Sequence, residues 1–290
     1  MSPQDGRPPK ISIRGVSKVF GDEKSARRTV ALSDIDLTVS DGEFLTLVGP
    51  SGCGKSTLLE LIGGLTTPTS GALELDGEPI TGPGLDRGIV FQQYALLPWR
   101  TAQANVELGL EVEGRLKKKD RAARAREVLD LVGLDSFRDR YPNELSGGMR
   151  QRVAIARSLA YEPKVLLMDE PYAALDAQTR ELLQIELLRI WERTGATVVF
   201  ITHGIEEAIY LGQRVAVMSA RPGQIKTILP IDLGDRFAGN DIRSTPTFTR
   251  YRHEVWELLH HEIARAVGLE STGDITPREV THDGQHSRIA

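Results

Sequence analysis

One stretch of the chain combines glycine, lysine and hydroxyl residues at the spacing that binds phosphate. Residues 49–57 satisfy the pattern G-x-x-x-x-G-K-[ST]. An apolar run at 43–48 before it suits a buried strand, and residues 58–62 after it favour a helix. Glycines let backbone N–H groups turn toward an anion, and a helix N-terminus adds partial positive charge. We therefore predict a phosphate site formed by Gly49, Pro50, Ser51, Gly52, Cys53, Gly54, Lys55, Ser56 and Thr57.

Three side chains of this loop have distinct predicted chemistry. The Lys55 ammonium would reach the β- and γ-phosphates of a nucleotide, and the Ser56 hydroxyl would ligate Mg²⁺. Cys53 lies near the start of the predicted helix, where thiolate is favoured. We therefore expect a thiol alkylator to inactivate the protein, and bound nucleotide to protect it.

Two carboxylates end a second apolar run. Residues 164–168 favour a buried strand, and Asp169 and Glu170 follow it directly. Mg²⁺ is a hard cation that keeps several waters, so one nearby carboxylate suffices, and we assign this role to Asp169. Glu170 is then placed to act as general base on an attacking water.

A further anion site is predicted where residues 145–152 read Leu-Ser-Gly-Gly-Met-Arg-Gln-Arg. Ser146 can cap a helix whose first N–H groups are bared by Gly147 and Gly148. Together with the phosphate loop, this stretch resembles the signature of ATP-binding-cassette (ABC) ATPases. The resemblance covers residues 11–218. It implies that two domains dock head to tail, with each ATP between one phosphate loop and the other domain's signature.

The same resemblance assigns roles to four other residues. Gln92 matches a glutamine that reaches Mg²⁺ and water, although Gln93 is a competing candidate. His203 matches a histidine that donates to the γ-phosphate. Asp176 matches an aspartate that communicates across the dimer, and Phe20 is the choice for an aromatic that stacks on adenine.

The order of apolar runs predicts an α/β fold. Strands alternating with helices imply a mainly parallel sheet with ligands at the strands' carboxyl ends. Together with the phosphate loop at 49–57, this pattern resembles a P-loop NTPase core. Residues 10–16, which alternate like an edge strand, and residues 31–40 predict an antiparallel β-subdomain. Residues 94–160, with a helix at 120–132, predict an inserted α-helical subdomain.

The predicted domain boundaries follow from shifts in composition. We expect an ATP-binding domain at 10–230 and a helical extension at 231–268. Within the extension, Thr245 and Pro246 suit the start of a helix that runs to residue 267. Residues 269–290 are polar without periodicity, which predicts a disordered tail, and residues 23–28 predict a solvated loop.

Composition bounds the function as well. Of 290 residues, 40% are hydrophobic and 26% are charged, and the formal net charge is −4, which argues against a nucleic-acid binder driven by bulk charge. No apolar run approaches the roughly 18 residues of a membrane span, and residues 1–10 lack a signal-peptide core. The single cysteine fits a reducing compartment. We expect the chain to remain in the cytosol.

Three further stretches narrow the resemblance to the ATPases of nitrate, alkanesulfonate and taurine importers. They are Tyr-Ala-Leu-Leu-Pro-Trp at 94–99, Thr-His-Gly-Ile-Glu-Glu-Ala at 202–208 and Val-Met-Ser-Ala-Arg-Pro-Gly at 217–223. The resemblance implies that the 94–99 loop docks on a membrane subunit. Packing of Leu97 and Trp99 inside the helical subdomain is the alternative for part of the loop.

The expected protein is therefore an ATP- and Mg²⁺-dependent ATPase that dimerises on ATP, with itself or with a similar ATPase. The resemblance implies a peripheral position on the cytoplasmic face of the inner membrane, permease subunits as direct partners and a solute-binding protein as an indirect one. No nucleic-acid partner is expected. An exporter ATPase and a soluble cassette ATPase uncoupled from transport are the alternatives, and the solute itself stays open.

Overall fold

The computed structural model describes residues 9–21, 28–237 and 241–267. Its strands form an antiparallel four-stranded sheet and a mainly parallel six-stranded sheet. In chain order the strands are β1 (Ile11–Phe20), β2 (Thr29–Val39), β3 (Phe44–Val48), β4 (Ser70–Leu75), β5 (Glu78–Pro79), β6 (Arg87–Val90), β7 (Val165–Asp169), β8 (Thr197–Ile201), β9 (Arg214–Met218) and β10 (Ile225–Pro230).

The parallel sheet has the order β10-β9-β3-β8-β7-β6, in which only β10 runs antiparallel to its neighbour. β3 and β8 are buried along their whole length, as expected for strands covered on both faces. The antiparallel sheet has the order β2-β1-β4-β5. The predicted α/β fold is confirmed. The edge position expected for β1 is wrong, because β1 pairs with β2 on one side and β4 on the other.

Most of the observed helices lie where the sequence predicts a helix. They are α1 (Lys55–Ile62), α2 (Ala102–Glu113), α3 (Lys118–Leu131), α4 (Gly147–Leu159), α5 (Ala177–Thr194), α6 (Ile205–Leu211) and α7 (Pro246–Val267). The sequence patterns did not predict α2, α6, β5 or β10. Helices α2, α3 and α4 pack on one another in the region where an α-helical subdomain is expected. The predicted apolar face of α3 is buried there at Ala125, Val128 and Leu129.

The C-terminal helix begins as the sequence predicts. The Thr245 hydroxyl accepts a hydrogen bond from the Phe248 N–H at 3.3 Å, which caps α7. Phe248, Val255 and Leu259 are buried in the main hydrophobic core. Ile263, which the four-residue spacing from Val255 and Leu259 places on the same face, is nevertheless 48% exposed. The tail predicted at 269–290 and most of the loop predicted at 23–28 lie outside the described residues.

No helix within the described ranges combines the length and the hydrophobicity needed to cross a bilayer.

Candidate functional site

Three neighbouring strands bring the predicted site residues to one edge of the parallel sheet. β3, β8 and β7 lie side by side, and their carboxyl ends point the same way. The phosphate loop follows β3, Glu170 follows β7, and His203 comes two residues after β8. The site is therefore assembled by the parallel topology from segments far apart in the chain.

The Lys55 ammonium lies inside the phosphate loop. The residue is buried, and its Nζ donates to the carbonyl oxygens of Gly49 at 2.8 Å and Pro50 at 3.1 Å. No carboxylate within the described residues forms an ion pair with it. A buried ammonium held only by neutral carbonyls leaves its charge available to an anion.

The loop turns into α1 at Gly54, where φ is 111°. A Cβ atom on Gly54 would lie 2.7 Å from Leu32 Cδ2, so both the conformation and the space require glycine. No side chain of the described residues caps α1. The N–H groups of its first turn, together with the Lys55 charge, fit the phosphates of a nucleotide.

Oxygen ligands for a hard cation meet at the start of α1. The exposed Ser56 hydroxyl donates to Asp169 Oδ1 at 3.2 Å. Burial raises the pKa of Asp169, the hydrogen bond from Ser56 lowers it, and the charge of Glu170 raises it. A hydroxyl and a carboxylate in contact fit the oxygen ligands that Mg²⁺ prefers.

Glu170 and His203 form a pair beside this contact. Glu170 Oε2 lies 3.1 Å from His203 Nδ1, and the Glu170 N–H donates to Ile201 O at 3.0 Å. Glu170 has a φ of 44°, an uncommon conformation for a residue with a side chain, and such conformations cluster at functional sites. In this direct contact the imidazole orients the carboxylate, and a water or a phosphate oxygen could bind beside the pair.

Cys53 corrects the expectation from the sequence. Its side chain is 1% exposed and its Sγ lies near Gly49, on which a Cβ would stand 2.9 Å from that sulfur. Burial raises the pKa of the Cys53 thiol, and the nearby Lys55 charge lowers it less. The predicted reactive thiolate is wrong, because desolvation outweighs the positive charge around the loop.

Gln92 follows a strand of the parallel sheet, and Phe20 ends a strand of the antiparallel sheet. Gln92 is exposed, after the carboxyl end of β6, and Gln93 is exposed beside it. Phe20 is the last residue of β1 and is 43% exposed, with Lys18 Nζ 5.1 Å from its ring centre. No hydrogen bond between described residues joins Gln92 to Ser56 or Asp169, so its role stays a prediction.

The signature residues begin α4, as predicted. Ser146 Oγ accepts from the Met149 N–H at 3.3 Å, which makes Ser146 the N-cap. Ser146 is exposed. Gly148 is buried because it packs against Thr179 of α5. No hydrogen bond or ion pair in the described part of the chain joins Ser146, Gly147 or Gly148 to the phosphate loop. The two predicted anion sites are therefore not linked to each other by such contacts.

Asp176 also acts as a helix cap. Its Oδ1 accepts from the Thr179 N–H at 2.9 Å at the start of α5, and this hydrogen bond lowers the pKa of the exposed carboxyl. The predicted contact across a dimer stays a prediction.

Sequence reasoning missed a polar network behind His203. Glu207 of α6 accepts from the Thr202 hydroxyl, and from Gln184 Nε2 of α5 at 2.8 Å. The Gly204 N–H in turn donates to the Thr202 hydroxyl at 2.9 Å. Both residues flanking His203 are thus fixed. The repeated acidic residues at 206–207 were visible in the sequence, but their partners are distant in the chain.

Known proteins are similar to this chain over most of its length. Residues 32–173 match the family model described as ABC transporter. The nitrate import ATP-binding protein of Synechocystis sp. is 50% identical over 254 residues, covering 86% of this chain and 94% of that protein. The taurine import ATP-binding protein of Pseudomonas aeruginosa strain UCBPP-PA14 is 47% identical over 247 residues, covering 84% and 93%.

A solved structure has the same fold. It is a dimeric ATP-binding cassette in a post-hydrolysis state with ADP and Pi bound, 36% identical, with a TM-score of 0.67 over 77% of this chain and 99% of that one. Sequence identity and coverage of this extent establish the family, its ATPase activity and its use of ATP with Mg²⁺. The chain therefore belongs to the ABC transporter family, as one of its ATP-binding proteins.

Proposed function

We propose that this chain is the ATP-hydrolysing subunit of an importer, and that it drives uptake of a small anion through membrane permease subunits. The observation that carries the proposal is the convergence of Lys55, the Ser56–Asp169 contact and the Glu170–His203 pair at one sheet edge. Binding, metal ligation and proton transfer each have a residue there. The likeness to the nitrate and taurine import proteins supports the importer assignment.

Each residue of this edge has a separate task in the proposal. Gly49–Thr57 hold the phosphates through backbone N–H groups and the Lys55 ammonium, while Ser56, Asp169 and Gln92 hold Mg²⁺. Mg²⁺ held by these residues would supply positive charge against the negative charge of the phosphates. Glu170 takes a proton from the attacking water, and His203 orients both Glu170 and the terminal phosphate.

The second half of each site comes from another copy of the chain. Ser146 and Gly147 at the start of α4 would bind the γ-phosphate held by the partner's phosphate loop, with Asp176 nearby at the interface. The dimeric state of the similar cassette structure supports this arrangement. Phe20 would stack on the adenine, for which its exposed ring is available.

The loop after β6 is suited to contact a membrane subunit. Trp99 is 71% exposed, so it does not pack inside the helical region. Its neighbours are held firmly, because Asn105 Oδ1 accepts from the Leu97 N–H at 2.8 Å, and Arg157 Nη2 donates to Tyr94 O at 3.0 Å. A rigid loop with an exposed tryptophan can transmit a change at Gln92 to a permease. The chain would thus lie on the cytoplasmic face of the inner membrane.

Solute uptake tests the proposal. In cells from which the gene has been deleted, uptake of labelled nitrate, taurine and an alkanesulfonate is measured. We expect uptake of one of them to be lost, to return with the wild-type gene, and to stay absent with the Glu170→Gln variant. Loss of efflux with unchanged uptake would indicate an exporter, and unchanged transport in both directions would contradict a role in transport.

A further inference from the structure

The connection between β9 and β10 contacts the phosphate loop at two successive carbonyl groups. Arg221 donates to Gly52 O from Nε at 3.2 Å and from Nη2 at 3.0 Å. Gly223 is buried against the next peptide, and a Cβ atom there would lie 2.1 Å from Cys53 O. Gly223 also exchanges backbone hydrogen bonds with Ala31 and Ser33 of β2, so it cannot move away freely. The connection is thus clamped between β2 and the phosphate loop.

The peptide between Gly52 and Cys53 is held at both ends. Its carbonyl accepts the two hydrogen bonds from Arg221, and its N–H donates to Pro50 O at 3.3 Å. The same Pro50 oxygen accepts from Lys55 Nζ at 3.1 Å. One peptide unit therefore separates the Arg221 guanidinium from the carbonyl that holds the Lys55 ammonium. A hydrogen bond from a charged donor fixes the plane of this peptide more strongly than one from a neutral donor.

The Arg221 side chain also adds positive charge at the loop. It is exposed, and no carboxylate of the described residues forms an ion pair with it. Such a charge beside the phosphate loop favours a polyanionic ligand. The side chain borders an open cleft of about 660 Å³, together with Ser51 and Gln224, so shortening it opens no cavity in the core.

A carboxylate from the C-terminal helix holds the residue that precedes Arg221. Glu262 of α7 is buried, its Oε2 accepts from the Ala220 N–H at 2.9 Å, and its Oε1 lies 3.0 Å from Lys226 Nζ of β10. The Ser219 hydroxyl closes the rest of the turn by donating to Pro222 O at 3.0 Å and accepting from the Gln224 N–H at 2.9 Å. Helix α7 is thus connected to the phosphate loop through Glu262, Ala220 and Arg221.

We infer that Arg221 is a positioning residue of the phosphate loop and that Glu262 of the C-terminal helix holds it in place. The inference rests on the proposed nucleotide site, and it gives a role to the Ser-Ala-Arg-Pro-Gly stretch. Arg221 keeps the Gly52 carbonyl turned outward and the loop closed around Lys55. Its loss loosens nucleotide binding and leaves the hydrolysis step, which Glu170 and His203 perform from other strands, largely intact.

Binding and turnover of Arg221 variants test this role. For Arg221→Ala we expect the Kd for MgADP, measured by calorimetry, to rise about three- to tenfold, with a matching rise in the KM for ATP. The kcat should stay within about twofold. Arg221→Lys keeps the positive charge but lacks the guanidinium that donates two hydrogen bonds. Its Kd and KM should therefore lie between those of the wild type and those of Arg221→Ala. The control is Arg189→Ala, which removes another exposed arginine, from α5, and should change neither constant.

Two Glu262 variants test the link to the C-terminal helix. Glu262→Gln keeps an acceptor for the Ala220 N–H and should bind MgADP nearly as the wild type does. Glu262→Ala, whose folding is checked by its Tm, should raise the Kd for MgADP, as Arg221→Ala does. The double variant Glu262→Ala/Arg221→Ala should be no weaker than Arg221→Ala alone, because both changes break one path.

Lys55→Ala separates failure of this inference from failure of the proposed site. If Lys55→Ala loses MgADP binding while Arg221→Ala keeps wild-type Kd and KM, the positioning role is wrong and the site stands. If Glu262→Ala and Arg221→Ala weaken binding by factors that simply multiply, the path through Ala220 is wrong. If Lys55→Ala also binds as the wild type does, the proposed nucleotide site itself is wrong.

Discussion

Glu170, the residue after β7, has an uncommon backbone conformation, and its carboxylate lies 3.1 Å from His203 Nδ1. We predict that Glu170→Gln lowers steady-state ATP hydrolysis by about 10²–10⁴-fold, since an amide cannot take the proton from water. The change removes no group that holds the phosphates. ATP binding should therefore persist and an ATP-bound dimer should accumulate, which phosphate release and size-exclusion chromatography with MgATP would detect.

Glu206→Gln is the matched control for that variant. Glu206 lies in the same cleft as Glu170 and pairs with Arg252 at 3.2 Å, away from the phosphate loop. Its hydrolysis rate should stay within about twofold of wild type, as surface ion pairs contribute little. Fast turnover in Glu170→Gln would contradict the general-base assignment.

The Cys53 thiol should react slowly with alkylating reagents. Its side chain is 1% exposed, and burial raises its pKa, so little thiolate reaches the reagent at neutral pH. We predict that labelling by iodoacetamide, followed by mass spectrometry, is at least about tenfold slower in the native protein than in denaturant. Equal rates in the two conditions would show that the loop opens readily.

The residue types of the site could be predicted from the sequence, but their environments could not. Local sequence patterns predict roles for Lys55, Ser56 and Asp169, and the fold brings these residues together at one edge of the sheet. For Cys53, the pattern indicates a positive neighbourhood but says nothing about burial, which depends on Gly49 and on strands distant in the chain. The sign of the pKa shift was therefore predicted wrongly.

At the scale of elements, α6 is tied to α5 through a carboxylate whose protonation should affect stability. Burial raises the pKa of Glu207 above its ordinary value of 4.5, while hydrogen bonds from Thr202 and Gln184 and the charges of Arg180 and His203 lower it less. The folded protein thus binds this proton more tightly than the unfolded chain. The stabilisation that this bound proton contributes is therefore lost as the pH rises from about 4.5 through the pKa of Glu207 in the folded protein.

Glu207→Gln should remove this part of the pH dependence. The amide does not titrate, and it can still accept from Gln184 Nε2 and donate to the Thr202 hydroxyl. We predict that the Tm of the variant, relative to wild type, rises as the pH is raised from about 4 to 7. The control is Glu186→Gln on α5, whose half-buried carboxylate pairs with Arg189 at 3.4 Å, and it should not reproduce this rise. Parallel curves for Glu207→Gln and wild type would contradict the assignment.

The elements differ in how clearly the sequence marks them. β3, β7 and α7 have continuous apolar runs or a proline start, and their predicted limits lie within a few residues of the observed ones. Helix α2 buries only Ala102, Asn105, Val106 and Leu110, so its apolar pattern is too sparse to detect. The edge position predicted for β1 is wrong. Alternation of apolar and polar residues indicates that one face of a strand is buried, but it does not indicate whether the strand pairs with one neighbour or two.

For the whole molecule, the separation of the signature from the phosphate loop predicts sites shared between two chains. Lys55→Ala and Ser146→Arg should each abolish hydrolysis alone. A mixture should regain activity, because one mixed site combines an intact phosphate loop with an intact signature. With independent sites, an equimolar mixture should recover roughly a quarter of wild-type activity, since half of its dimers are mixed. An inactive mixture that nevertheless forms mixed dimers would favour sites contained within one chain.

The C-terminal segment contains one part that the fold requires and one that sequence composition predicts to be dispensable. Phe248, Val255 and Leu259 bury their side chains in the main core, which is worth about 1.5–3 kcal/mol each against a total stability of about 5–15 kcal/mol. A chain ending at Thr245 should therefore unfold at much lower temperature or aggregate. A chain ending at Leu269 keeps α7 with Glu262, and its Tm and ATPase rate should match those of the full chain. Loss of ATPase activity in this longer variant, with an unchanged Tm, would assign residues 270–290 a regulatory role that their polar composition does not predict.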